Sequence, residues 1–340
     1  MSNETMVNVI DEADAAVLPD TTAWMRALSA DERRDLHQTN AIRSWLSFAI
    51  NWILVAAAFA LVAWAPNPLT IVLAVFVIGA RQLGCGILMH EAAHRSLFRS
   101  RALNDWAGNW LAAYPVWLDV EPYRSYHLQH HKHTWTELDP DLGLAMPFPI
   151  TPRSLGRKAW RDLSGRTGWK RAVATFKRDL GRSRGKVRRD KSGWYALRGV
   201  VTTNLVIVAL LALAGHVELY LLWVVAWFTT YSLVMRIRSI AEHAMIDDPN
   251  SVLGNTRTTL ASWWERLLLA PNRVNFHLEH HLMMAVPHYN LPRMHRILAD
   301  RGVLDGACTA RGYIEVLRRA ASAHAATAGP HAGDQSLTFG

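Results

Sequence analysis

Four stretches of predominantly apolar sequence constrain this chain more than any other feature. They run over about residues 45–65, 70–89, 195–214 and 219–235. About 20 apolar residues is the length at which a helix crosses the hydrocarbon of a bilayer. In hydrocarbon, backbone N–H and C=O groups have no water to bond, so spans of this kind fold as helices. The predicted fold class is all-α, an integral-membrane four-helix domain.

The remaining sequence sorts around those spans. Residues 1–40 are expected to form a cytosolic N-terminal arm, 41–300 the membrane domain, and 301–340 a cytosolic tail with a disordered end from Gly329. The arm begins acidic (Glu4, Asp11, Glu12, Asp14), the wrong charge for a secretory signal peptide. Arg81 interrupts the second span and is expected to face protein or the site rather than lipid. Asn104–Leu118 and Thr258–Pro271 are too short and too polar to span; their tryptophans suit interfacial helices. The turns after the first and third spans carry no lysine or arginine. Residues 153–191 hold fifteen against three acidic residues. The positive-inside rule then places both termini and the basic stretch in the cytoplasm. That stretch suits anionic lipid headgroups, or an acidic redox partner. The net charge of +9 comes without a nucleic-acid-binding motif, so no nucleic-acid partner is expected. Cys85 and Cys308 lie far apart in unrelated contexts and suggest neither a disulfide nor a cysteine metal site. Gly84 and Gly86 flank Cys85; they fit either close helix packing or room for an acyl chain.

Histidine carries the chemistry. Eight of the 16 histidines fall in three windows: His90 and His94; His127, His130 and His131; His277, His280 and His281. The i, i+3, i+4 spacing gathers imidazoles on one side of a helix, and neutral imidazole is the commonest metal ligand. Charge bias alone puts all three windows on one side of the membrane, so one shared site is geometrically possible. Eight imidazoles exceed what one ion needs, since structural zinc takes four ligands and catalytic zinc usually three. Two ions are the economical count. His243, just past the fourth span, is a ninth candidate; alone it would read as an ordinary interfacial histidine, but here ligation is favoured. An all-nitrogen, thiolate-free shell suits redox iron better than structural zinc. Glu91, Asp139, Asp141, Glu242 and Glu279 stand nearby as acceptors that would orient the imidazoles. His133, His288 and His295 can support the ligands without being ligands.

His90-Glu-Ala-Ala-His94, His127-Leu-Gln-His130-His131 and His277-Leu-Glu-His280-His281 resemble the three histidine boxes of the integral-membrane fatty acid desaturase family, which has related hydroxylases and ketolases. The resemblance covers roughly residues 40–300, including the gap and two spans before the last box. It implies a cytosolic helical cap over the membrane helices, holding a non-haem di-iron centre. The eight box histidines match the family's ligands, and His243 matches its isolated histidine. The implied reaction is O₂-dependent removal of two hydrogens from the acyl chain of a lipid or fatty acid. No separate catalytic side chain is implied beyond the two irons. Electrons would come from a separate donor, such as ferredoxin or cytochrome b5 with its reductase, because the chain leaves no room for a fused cytochrome b5 domain. The rival readings are a hydroxylase or ketolase on the same scaffold, a membrane metal transporter or sensor, and a zinc-dependent membrane hydrolase. Transport ligands belong near the bilayer midplane, whereas these boxes sit at span ends.

Overall fold

The structure, a computed structural model, describes residues 22–179 and 193–323. The expected disorder from Gly329 onward lies outside the described residues. Most of the described chain is helical, with only two two-residue strands. After α1 (Ala30–Leu36), two long helices, α2 (Ala41–Trp64) and α3 (Pro68–Ala93), form a hairpin. Each begins on an asparagine cap. Asn40 accepts from the Arg43 N–H, and Asn67 accepts from the N–H groups of Leu69 and Thr70, with Pro68 preset for the first turn.

The chain continues through α4 (Arg101–Gly108), a π turn at Asn109–Ala113 and a 3-10 turn at Tyr114–Val116. It then forms α5 (Val120–His133), the short α6 (Leu142–Ala145), α7 (Pro152–Leu163) and α8 (Arg166–Asp179). A second apolar hairpin follows: α9 (Gly193–Leu213), then α10 (Tyr220–Phe228) running into α11 (Thr230–His243). The C-terminal part adds α12 (Trp263–Leu268), α13 (His277–Leu282), α14 (Leu291–Asp300) and α15 (Tyr313–Ala320). The strands, β1 (Thr258–Thr259) and β2 (Thr309–Ala310), pair in parallel and tie this part together.

Among the described residues, three helices are long and apolar enough to cross a membrane: Ala41–Trp64, Pro68–Ala93 and Val217–His243. The described apolar part of α9, Leu197–Leu213, is shorter. The second and fourth spans run further than the sequence pattern suggests; the fourth ends on His243 and the second is capped by His94.

α3 is the hub. Its 26 residues are about 39 Å long, more than hydrocarbon of about 30 Å requires, and the first histidine pair falls at its C-terminal end. Every residue from Ile78 to Ala93 is buried. A helix buried all round needs neighbours that approach closely, and small residues allow it. A Cβ at Gly79 would lie 2.2 Å from Thr230 Oγ1, and one at Gly84 would lie 2.1 Å from Asn51 Oδ1. Gly84 is thus packed against α2, and Asn51 donates to the Cys85 sulfur at 3.2 Å. Arg81 faces protein, donating to the Leu267 carbonyl at the end of α12. Gln82 donates to the Trp223 carbonyl at 2.9 Å.

Asn104–Leu118 lies on the protein, with Ala112, Ala113, Tyr114 and Val116 buried. Its irregular backbone is satisfied by tryptophans of the spans. Trp52 Nε1 donates to the Leu111 carbonyl and Trp227 Nε1 to that of Val116, each at 2.9 Å. This is the condition under which non-helical backbone is tolerated at such depth.

The fourth span breaks at Thr229 (φ −115°, ψ −87°), and α8 holds the break. The Arg171 guanidinium donates to the Trp227 carbonyl and to Ser232 Oγ while lying 4.3 Å above the Trp227 ring. Asp162 accepts twice from Arg236, at 2.5 and 2.9 Å, and once from Thr167. Gly168 permits this approach, because a Cβ there would sit 2.3 Å from the Phe228 carbonyl oxygen. Gly168→Ala should therefore lower stability by about 1–3 kcal/mol. Gly156→Ala, where a Cβ meets nothing within 4 Å, should raise it by about 0.5–1 kcal/mol through helix propensity. Thermal unfolding of the two variants in detergent checks both signs.

Candidate metal centre

Helix geometry explains where each imidazole points. Successive residues turn by about 100°, so i+4 lies about 40° to one side of i and i+3 about 60° to the other. In an HxxHH box the first and last histidines therefore share a direction, and the middle one diverges. In the structure His127 and His131 of α5 join one group while His130 joins another. In α13 the assignment is mirrored: His277 and His281 go to the second group and His280 to the first. The first box has only the i, i+4 pair, and both His90 and His94 enter the first group. His243, the last residue of α11, completes the second.

The result is a group of five (His90, His94, His127, His131, His280) and a group of four (His130, His243, His277, His281). Within each, one ring nitrogen per residue lies within 4.8 Å of the others. All nine histidines singled out from the sequence are brought together. His133, His288 and His295 are in neither group.

The spacing suits metal ions. His131 Nε2 lies 3.0 Å from His127 Nε2 and 3.1 Å from His280 Nε2. His277 Nε2 lies 2.8 Å from His243 Nε2 and 3.1 Å from His281 Nε2. One ring nitrogen carries either a proton or a lone pair, so it cannot satisfy two such neighbours by hydrogen bonding. The Nε2 atoms of His90, His94 and His130 are buried without any hydrogen-bond partner. Imidazoles bound to one ion at about 2.0–2.1 Å, at right angles, bring their nitrogens about 3 Å apart. Each group can hold one ion.

The environment keeps these rings neutral. Burial, and then neighbouring imidazoles, push the His127, His131, His277, His280 and His281 rings well below the usual histidine range. Neutral imidazole is the form that binds metal.

Carboxylates hold the outer faces. His130 Nδ1 lies 2.8 Å from Asp139 Oδ1 and 3.8 Å from Asp141 Oδ2. Asp139 also accepts from the N–H groups of Trp135 and Asp141, so its carboxylate is fixed. Glu242 Oε1 accepts from Arg238 at 2.5 Å and lies 3.6 Å from His277 Nδ1. Glu91 Oε1 lies 3.4 Å from His90 Nδ1; its other oxygen accepts from the His288 N–H and from Ser96 Oγ. Glu279 turns away from the groups, taking His295 Nδ1 at 2.6 Å and Thr258 Oγ1 at 2.5 Å. The boxes at both ends are thereby anchored by histidines outside the two groups.

Two contributors escape sequence reasoning. Arg124 donates to the Ala92 and Ala93 carbonyls, capping the end of α3 that carries the first box. Tyr123 stacks on His127 with centroids 5.1 Å apart. Their only sequence signal is position, three and four residues before His127 on the same helix. A small cleft opens beside both groups, with Tyr126, Leu144, Met235 and Arg238 in its walls.

Fold and site together define a helical membrane protein whose imidazoles are arranged to hold two metal ions. The family model described as fatty acid desaturase matches residues 66–308. The dihydrorhizobitoxine desaturase of Bradyrhizobium elkanii is 30% identical over 66% of each chain. An sn-1 oleoyl-lipid 12-desaturase of Picosynechococcus is 24% identical over 76% of this chain and 77% of its own. A chloroplastic omega-6 fatty acid desaturase of Brassica napus is 22% identical over 78% and 62%. The chain belongs to the fatty acid desaturase family, and so to the oxidoreductases.

Two variants separate the anchoring of the rings from simple folding. His243→Ala/His277→Ala, which leaves two imidazoles in the second group, should cut metal bound per chain from about two ions to about one. Asp139→Asn should weaken metal affinity by about 10–100-fold with the fold intact. Metal analysis of purified protein after dialysis against a chelator, beside its circular dichroism, checks both.

Proposed function

We propose that this chain is an O₂-dependent membrane desaturase that introduces a double bond into the acyl chain of a lipid or fatty acid. The observation that carries the reading is the convergence of nine mostly buried imidazoles into two groups at the ends of apolar spans, in a member of this family. His90, His94, His127, His131 and His280 would hold one iron, and His130, His243, His277 and His281 the other. Bound there, the irons would supply O₂ activation and an oxidant strong enough for unactivated methylene C–H bonds, which no side chain can provide.

The overall balance is –CH₂–CH₂– + O₂ + 2 e⁻ + 2 H⁺ → –CH=CH– + 2 H₂O. The electrons come from a separate donor, ferredoxin or cytochrome b5 with its reductase. The chain's own groups hold and shield the site. The hydrogen bond between His130 Nδ1 and Asp139 turns the His130 Nε2 lone pair inward, and Glu242 and Glu91 lie near the Nδ1 atoms of His277 and His90. Arg124, capping α3, fixes the first box relative to the second. Tyr123 and the buried packing around α3 keep bulk water away, and the apolar spans give an acyl chain access from the bilayer.

The names of the relatives acting on oleoyl lipid and on fatty acid support an acyl substrate. The lysine and arginine distribution supports a cytoplasmic site with both termini on that side. Position at span ends argues against a transporter, whose ligands belong near the midplane.

Lipid mass spectrometry on cells expressing the wild type or His130→Ala under air tests the reading. Species lighter by two hydrogens, absent from the variant, are expected. Species heavier by one oxygen would make the protein a hydroxylase. Purified protein that binds no iron would refute both.

A further inference from the structure

We propose that the α7–α8 hairpin is a binding surface for anionic phospholipid headgroups, independent of the reaction at the metal groups. The hairpin has two unlike faces. Its inner face is clamped to the fourth span through Asp162–Arg236, Arg171 and Gly168. Its outer face is aromatic, with Trp160 68% and Trp169 65% exposed.

That aromatic face continues a lipid-facing stripe. Trp169 stacks on Phe228 with centroids 6.4 Å apart. Phe228 follows Leu221 and Val225, exposed by 65% and 46%, along one side of α10. The tryptophans therefore adjoin a surface that hydrocarbon covers.

The charge on this face has one sign. Arg153, Arg157, Arg166 and Lys177 are all exposed. The only acidic residues on the two helices, Asp162 and Asp179, are buried; Asp162 pairs with Arg236, and Asp179 with Arg178 and the Trp117 indole. No carboxylate on these helices faces outward. Exposed indoles beside lipid and outward cations without carboxylates are satisfied together by a bilayer surface bearing negative headgroups. An acidic soluble protein would satisfy the cations but would have to displace lipid from the tryptophans.

Hydrogen exchange of the full chain tests this in nanodiscs of phosphatidylcholine alone or mixed with phosphatidylglycerol. Amides of residues 152–179 should exchange about tenfold more slowly in the anionic discs. The Arg153→Gln/Arg157→Gln/Arg166→Gln/Lys177→Gln variant should lose that difference while keeping its unfolding temperature. For the wild type alone, raising salt from about 0.1 M to about 1 M should also erase it. Equal exchange in the two discs, or protection that survives high salt, overturns the proposal. So does protection of this segment by an acidic ferredoxin in neutral discs with none from phosphatidylglycerol.

Discussion

Gathering nine imidazoles out of water is the constraint to which the rest of this structure answers. Each buried ring nitrogen needs a partner, and here Nε2 atoms face one another at about 3 Å with no protein group between them. Neighbouring rings cannot all satisfy each other, since each nitrogen has one proton or one lone pair. A cation at each point of convergence would supply the remaining stabilisation. Metal binding and folding are coupled in such a site, and the surrounding packing keeps the rings from escaping to water.

The support is drawn from four separate parts of the chain. α3 and its cap carry two imidazoles, α5 and α13 three each, and α11 one. Holding them within a few ångströms requires rigid links between elements distant in sequence. Arg124 fastens α5 to the end of α3, and the His288 N–H reaches Glu91 from the loop after α13. The Arg257 N–H bonds the Glu242 carbonyl, tying the β1 region to α11. In and around the apolar spans the same economy applies to buried polar groups. Arg81, Gln82 and Arg171 each donate to a main-chain carbonyl, and in two cases that carbonyl belongs to α10. Gln82 and Arg171 thus brace the fourth span, and Arg81 ties α3 to α12.

Much of this was legible in the residues alone. Apolar run length foretells helices across a bilayer because hydrocarbon leaves the backbone no other way to pair its polar groups. Histidine spacing foretells that ring nitrogens lie on shared helix faces, and the angular difference between i+3 and i+4 already implies two directions per HxxHH box. The nine residues of the two groups are the nine singled out by spacing and by His243's place after the fourth span. Arg81 also faces protein, as its position in an apolar run requires.

Tertiary structure alone decided the partnerships. Nothing local to Glu279 distinguishes it from Glu91, yet one turns to His295 and Thr258 while the other lies against His90 and His288. The break at Thr229 has no proline or glycine to announce it. It depends on Gly168 and Arg171 arriving from a helix about sixty positions earlier. Periodicity and composition report what each segment must bury. Which surfaces meet is settled by packing among segments far apart in the chain, where one missing Cβ or one guanidinium determines the fit.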